Sequence, residues 1–126
     1  MAEQQLSEEM KHDIQEFQGL QQQLQFLMMQ RQQVAVQASE AQKAEEEVNK
    51  AKKGEQMYRY VGTVMVPKKQ EDLAKELKEE REKSQVYVST LQKQEDKVRE
   101  RMEALKKKIE AKLPKAPASA QAGASS

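Results

Sequence analysis

Two stretches, residues 20–53 and 68–113, contain neither glycine nor proline and are dense in Gln, Glu, Lys, Ala and Leu. Glycine and proline are the residues that interrupt helices, so breaker-free tracts this long in good helix formers point to two long helices. Gly19 is the one weak spot in the first, costing about 1 kcal/mol against alanine. The apolar residues keep a heptad. Leu6, Leu20, Leu27, Val34, Ala41 and Val48 share one position, with Asp13 as the exception. Met10, Phe17, Leu24 and Ala38 share the other, broken by Arg31 and Glu45, while Ile14 and Met28 widen the stripe. In the second tract Leu77, Leu91, Val98 and Leu105 form one row, interrupted by Ser84. Ala74, Val88, Met102 and Ile109 form the other, interrupted by Arg81 and Glu95. Alternating steps of three and four residues are the seam of a coiled coil. Its interruptions are small residues or long side chains whose stems cover apolar surface.

Disorder is the competing outcome, because 34% of the residues are charged, 4% are aromatic and the mean hydropathy is −1.01. That composition is too poor in large apolar residues for a compact globular core. Disorder, however, goes with high net charge and no period. Here 22 basic and 21 acidic residues nearly cancel to +1, and the heptad is present. Charge also orients the helices. Residues 1–17 carry five acids and one lysine, and residues 97–112 carry seven bases and three acids. An antiparallel fold lays those ends side by side, although each exposed pair contributes at most about 1 kcal/mol. The expected fold is all-α dominated: a long antiparallel two-helix coiled coil joined by one central β-hairpin. It spans residues 1–113, and the Pro-, Ala- and Ser-rich remainder, 114–126, reads as a disordered tail.

The hairpin is the stretch MYRYVGTVMVP, Met57 to Pro67. Gly54 follows a basic turn and ends the first helix. Two short β-type runs then flank Gly62-Thr63, a pair suited to a two-residue type II′ turn that sets Val61 opposite Val64 and Tyr60 opposite Met65. Pro67 has no N–H for a ladder and belongs at an edge or a strand end. A lone hairpin is marginal in water, and a simple helix connection needs only about 2–8 residues. The expectation is that Met57, Tyr58, Tyr60, Val61, Gly62, Val64, Met65 and Val66 form an assembly module completed by strands of other chains. A structured cap on the coiled coil is the plainer alternative.

Catalytic chemistry finds no support. With one histidine, His12, and no cysteine, no zinc-type cluster can be assembled, and no metal or cofactor is expected. VGTV lacks the Gly-Lys-Ser/Thr of a phosphate loop, and Ser84, Ser89 and Thr90 belong to no recognisable triad. Glu45, Glu46 and Glu47 point different ways around a helix and read as a solvated face. No apolar run is long enough to span a bilayer, residues 1–10 lack the apolar core of a secretory leader, and the charge balance disfavours nucleic acid. A cytoplasmic protein without membrane or nucleic-acid partners is expected.

The order long helix, YRYVGTVMV with a lysine-rich continuation, long helix resembles a β-type prefoldin subunit over about residues 5–112. The specific element is the single hairpin with Tyr58, Val61 and Gly62 followed by Val64 and Val66; α-type subunits of that family carry two hairpins. The style is closer to archaeal β subunits than to eukaryotic ones. Pro67 departs from the pattern, which commonly continues with a basic residue. The resemblance implies an ATP-independent chaperone in which two α-type and four β-type subunits join their hairpins into β-barrels. Unfolded clients would be held at coiled-coil tips and passed to a group II chaperonin. The free helix ends then supply a candidate grip: Leu6, Met10, Ile14 and Phe17 facing Met102, Leu105, Ile109 and Leu113. Terminal turns fray, and methionine suits promiscuous contacts; ordinary seam packing explains the same residues equally well. Two other classes stay open. One is a structural adaptor whose seam takes one specific partner helix, with the hairpin as hinge. The other, weaker, is a nucleic-acid-binding coiled coil using Lys97 to Lys112.

Overall fold

The structure, a computed structural model, describes residues 7–113; Leu6 of the candidate grip and the predicted tail at 114–126 lie outside the described residues. The element order is α1 (Glu8–Lys50), β1 (Met57–Val61), β2 (Val64–Lys68) and α2 (Gln70–Lys112). Each helix has 43 residues, which is about 65 Å at 1.5 Å per residue.

Local chemistry accounts for the helix ends. The Ser7 hydroxyl accepts from the Met10 N–H at 3.0 Å, an N-cap that the heptad reading passed over. Glu8 and Glu9, then Glu71 and Asp72, place acids in the first turns, and Lys50 and Lys112 place bases in the last, as the helix dipoles favour. At the end of α1 the carbonyls of Val48 and Ala51 accept from the Gln70 side-chain amide at 2.8 and 3.1 Å. The first residue of α2 thus satisfies acceptors that the end of α1 leaves open. Gly54 follows with φ +83°, a conformation that glycine adopts without a Cβ penalty.

The chain divides into two compact units. The larger, residues 26–95, holds the hairpin and the helical segments that adjoin it. Its apolar seam includes Leu27, Val34, Ala38, Val48, Leu73, Leu77 and Leu91, all buried. Four of the seam's charged interruptions turn out not to snorkel singly: Arg31 donates to Glu95, and Arg81 donates to Glu45 at 2.5 Å. The Glu95 side chain is wholly buried and that of Arg31 is 27% exposed. The other unit combines, among the described residues, 7–25 with 96–113. Among its described residues, Met10, Val98 and Leu105 are buried, and so is Asp13, the remaining charged exception on α1. Asp13 accepts from Lys108 and Lys112, each at 3.5 Å, while Arg101 donates to Glu16 at 2.5 and 2.9 Å. The acids of α1 therefore meet the bases of α2, the antiparallel arrangement that the charge asymmetry predicts.

Candidate functional site: hairpin and helix ends

The register of the hairpin is Met57↔Lys68, Tyr58↔Pro67, Arg59↔Val66, Tyr60↔Met65 and Val61↔Val64. Gly62 has φ +63° and Thr63 has a negative φ. A positive φ at the first central residue alone belongs to a type II′ turn, whereas type I′ needs it at both. Strand β2 runs through Pro67 to Lys68, so the proline lies inside the strand rather than beyond its end.

Alternation gives the hairpin two unlike faces. One carries Met57, Arg59, Val66 and Lys68, all half-buried, with Val61 and Val64 exposed at its turn end. This face is bound to the helices. Met57 packs on the cluster of Val48, Leu73 and Leu77. The Arg59 guanidinium donates to Glu76 at 3.0 Å and to Glu80 at 2.7 Å, and Lys68 donates to the other Glu76 oxygen at 2.8 Å. The Lys68 hydrogen bond, with Arg59 adding to it, holds the Glu76 carboxyl below the usual carboxylate range. Glu80, first, and Glu76 hold the Arg59 guanidinium more firmly protonated. The other face carries Tyr58, Tyr60, Met65 and Pro67, all exposed, Tyr60 by 69%. Arg59 and Lys68 were absent from the sequence reading. The available signal was Glu76 and Glu80, one helical turn apart on α2 and facing a strand with a basic residue among its apolar ones.

At the helix ends the candidate residues separate into two layers. Met10 and Leu105 are 4% and 5% exposed and belong to the seam. Ile14, Phe17, Met102 and Ile109 are half-buried, and Leu113 is exposed. Ile14, Phe17 and Ile109 line an open groove of about 440 Å³ together with Gln18, Gln21 and Lys106. Ile14, which widens the apolar stripe, forms part of the wall of this groove. Charge frames it. Glu9 accepts from Lys112, whose hydrogen bond, followed by its charge, holds the Glu9 carboxyl below its usual range. Lys112 is correspondingly held further up, by the same Glu9 bond first.

His12, Asp13 and Glu16 bring ligand atoms within 4.8 Å of one another. Asp13 and Glu16 are already engaged by Lys108, Lys112 and Arg101, so their negative charge is spent in ion pairs. Phe26, Met29 and Val36 on α1, and Val86 and Tyr87 on α2, are exposed residues off the seam that the heptad analysis did not single out. Of these, Tyr87 accepts from Gln30 across the helix pair at 2.9 Å. No helix among the described residues is long and apolar enough to cross a membrane.

Known proteins share this arrangement. The family described as Prefoldin subunit matches residues 11–116. The chain is 38% identical over 98 residues to the prefoldin subunit beta of Thermococcus onnurineus, covering 78% of this chain and 84% of that one. It is 40% identical over 93 residues to the prefoldin subunit beta of Pyrococcus horikoshii, covering 74% and 80%. The crystal structure of the prefoldin beta subunit from Thermococcus strain KS-1 superposes with a TM-score of 0.81 at 29% identity, covering 90% of this chain and 99% of that one. Two 43-residue helices, one hairpin between them and these likenesses lead to one conclusion: the chain belongs to the prefoldin subunit family, as a chaperone subunit of the β type.

Proposed function

We propose that this chain is one of four β-type subunits which, with two α-type subunits, form a hexameric holdase that works without nucleotide. The hairpin joins strands of sister subunits through Tyr58, Tyr60, Val61, Val64 and Met65. The groove of Ile14, Phe17 and Ile109, with Met102 and Leu113 beside it, holds apolar segments of unfolded clients, which pass to a group II chaperonin in the cytoplasm. Met57, Val66, Met10 and Leu105 support these surfaces from beneath.

The observation that carries this reading is the contrast between the two faces of the hairpin. One is fastened to the helices by Arg59, Lys68 and Met57. The other leaves two tyrosines and a methionine open to water. An isolated two-stranded sheet gains little by holding aromatic residues in that state, whereas an added strand would cover them and complete the open edges. Individual grips of this size are weak, and several acting on one client raise avidity without any tight site.

Native mass measurement of the chain with and without an α-type prefoldin subunit tests the assembly. A six-subunit species in the mixture is the expected result, and no mixed species under any ratio refutes it. For the grip, the assembled complex should suppress aggregation of denatured model proteins without nucleotide. Phe17→Ser with Ile109→Ser should reduce that capacity severalfold while the complex stays intact. Full capacity in that variant would refute the groove as the holding surface.

A further inference from the structure

Residues 17–30 of α1 carry no charge in a chain that is 34% charged, and six of them are glutamine. Four of the six lie on one groove. Gln18, Gln21, Gln22 and Gln25, with Leu24 and Met102, line an open channel of about 510 Å³. Gln18 and Gln21 also border the groove of Ile14, Phe17 and Ile109. The two therefore run into one another as a single track with an apolar floor and an amide rim. All of it lies within the unit that holds the helix ends. The four glutamines are exposed. Among the described residues none bonds to their side chains, whereas Gln30, Gln56 and Gln70 spend their amides on Tyr87, Met57 and the end of α1.

A glutamine amide carries donors and an acceptor, the same complement as a peptide group. The spacing matches too. Gln18 and Gln22, and likewise Gln21 and Gln25, are four residues apart on a helix, about 6 Å along its axis. In an extended chain, groups on the same side recur every second residue, about 6.6 Å. An extended segment laid along the track can thus pair successive outward peptide groups with successive amides while its side chains reach the apolar floor. A folded protein cannot answer in this way, because its backbone groups are already paired. Its apolar patch would cover the amides and leave them unsatisfied.

We propose that this glutamine row hydrogen-bonds the backbone of extended apolar segments, so that the track takes unfolded chain in preference to apolar patches of folded proteins. This rests on the reading of the groove as the client-holding surface and adds the chemistry by which it selects. An apolar floor alone would bind either class; the amides supply the discrimination.

The test uses the complex assembled with an α-type prefoldin subunit and two short fluorescein-labelled peptides of leucine, valine and serine. One has an ordinary backbone. The other is N-methylated at alternate residues, which removes the N–H donors along one edge and keeps every side chain. The parent complex should bind the ordinary peptide at least about fivefold more tightly, the worth of one net hydrogen bond. Gln18→Met, Gln21→Met, Gln22→Met and Gln25→Met together keep side-chain length and helix propensity, and should shrink that ratio to below about twofold. Comparing ratios subtracts what methylation does to the peptide itself. Should the four-residue variant fail to assemble, Gln21→Met with Gln25→Met should still reduce the ratio about twofold. A ratio unchanged in the variants, or no preference in the parent, overturns the proposal. Phe17→Ser with Ile109→Ser separates the two levels. If it leaves both peptides bound at parental affinity, or if the parent complex binds neither, the groove is not the holding surface and both readings fall. If it weakens both while the glutamine variants keep the parental ratio, only the role of the amides falls.

Discussion

Replacing Arg31 by methionine leaves the Glu95 carboxylate, wholly buried in the seam, without its guanidinium. Breaking a buried ion pair from one side costs about 3–5 kcal/mol. Arg31 retains some contact with solvent, so water softens the loss, and a cost of about 2–4 kcal/mol is expected. At roughly 3–4 °C per kcal/mol for a chain of this size, Tm falls by roughly 10 °C. Replacing both residues, Arg31→Met with Glu95→Met, removes the two desolvation costs together and should recover most of the loss or exceed the parent. The assay is thermal and urea unfolding followed by far-ultraviolet circular dichroism at matched chain concentration, since assembly adds stability by mass action. A single variant within about 1 kcal/mol of the parent, or a double variant no better than the single, refutes the reasoning. The pair matters beyond its energy because of its counterpart, Arg81 with Glu45. On both helices the charged positions are two heptads apart, with the signs reversed. Slipping α2 by one heptad sets Arg31 opposite Val88 and Glu45 opposite Ala74. A two-heptad slip brings Arg31 to Arg81 in one direction and Glu45 to Glu95 in the other. Apolar rows alone would tolerate these slips; the ion pairs disfavour them, together with the connection that ties Gln70 to the carbonyls of Val48 and Ala51.

At the helix ends, Leu105→Ala should cost about 2–4 kcal/mol in unfolding experiments, because Leu105 is buried in the seam. In the hairpin, Gly62→Val forces a β-branched residue to a φ of +63° and should cost about 1–2 kcal/mol locally. Hydrogen exchange of the strand amides would report this while the helix amides stay protected. Arg59→Ala should release β1 from Glu76 and Glu80 while Lys68 still holds Glu76, seen as faster exchange over residues 57–61 with little change in helix melting. Glu9, Glu45 and Glu76 all have carboxyls held below their usual range by Lys112, Arg81 and Lys68 respectively. A group depressed in the folded chain stabilises it above the unfolded carboxylate range and loses that contribution as pH falls through the folded value. Thermal scans should therefore be nearly flat around neutrality and drop under acid conditions. Glu45→Gln should show a shallower acid loss.

The helices, their antiparallel sense and the hairpin register were legible because each rests on local pattern: breaker-free heptads, opposite charge at the two ends, and a Gly-Thr pair between β-type runs. The seam's charged exceptions were visible; their pairing was not. The sequence shows Arg31, Glu45, Arg81 and Glu95 as long side chains that a seam tolerates, and the structure pairs them, since pairing depends on which residues of the other helix lie opposite. Gln70 and the Arg59–Glu76–Lys68 group escaped for the same reason, whereas the Ser7 cap is a local signal that a reading by heptads alone passes over. A side chain's partner is a property of the folded neighbourhood, and period and propensity carry no record of it.

Sequence alone determined that this chain would make two long helices around one short hairpin, because helix formers without breakers and a glycine at a two-residue turn admit few other outcomes. Tertiary structure decided the remainder: which face of the hairpin is fastened down, which end residues line a groove instead of a seam, and which single register is allowed. Those choices depend on charges that meet only after the chain has doubled back, and on how much surface the opposite helix happens to cover.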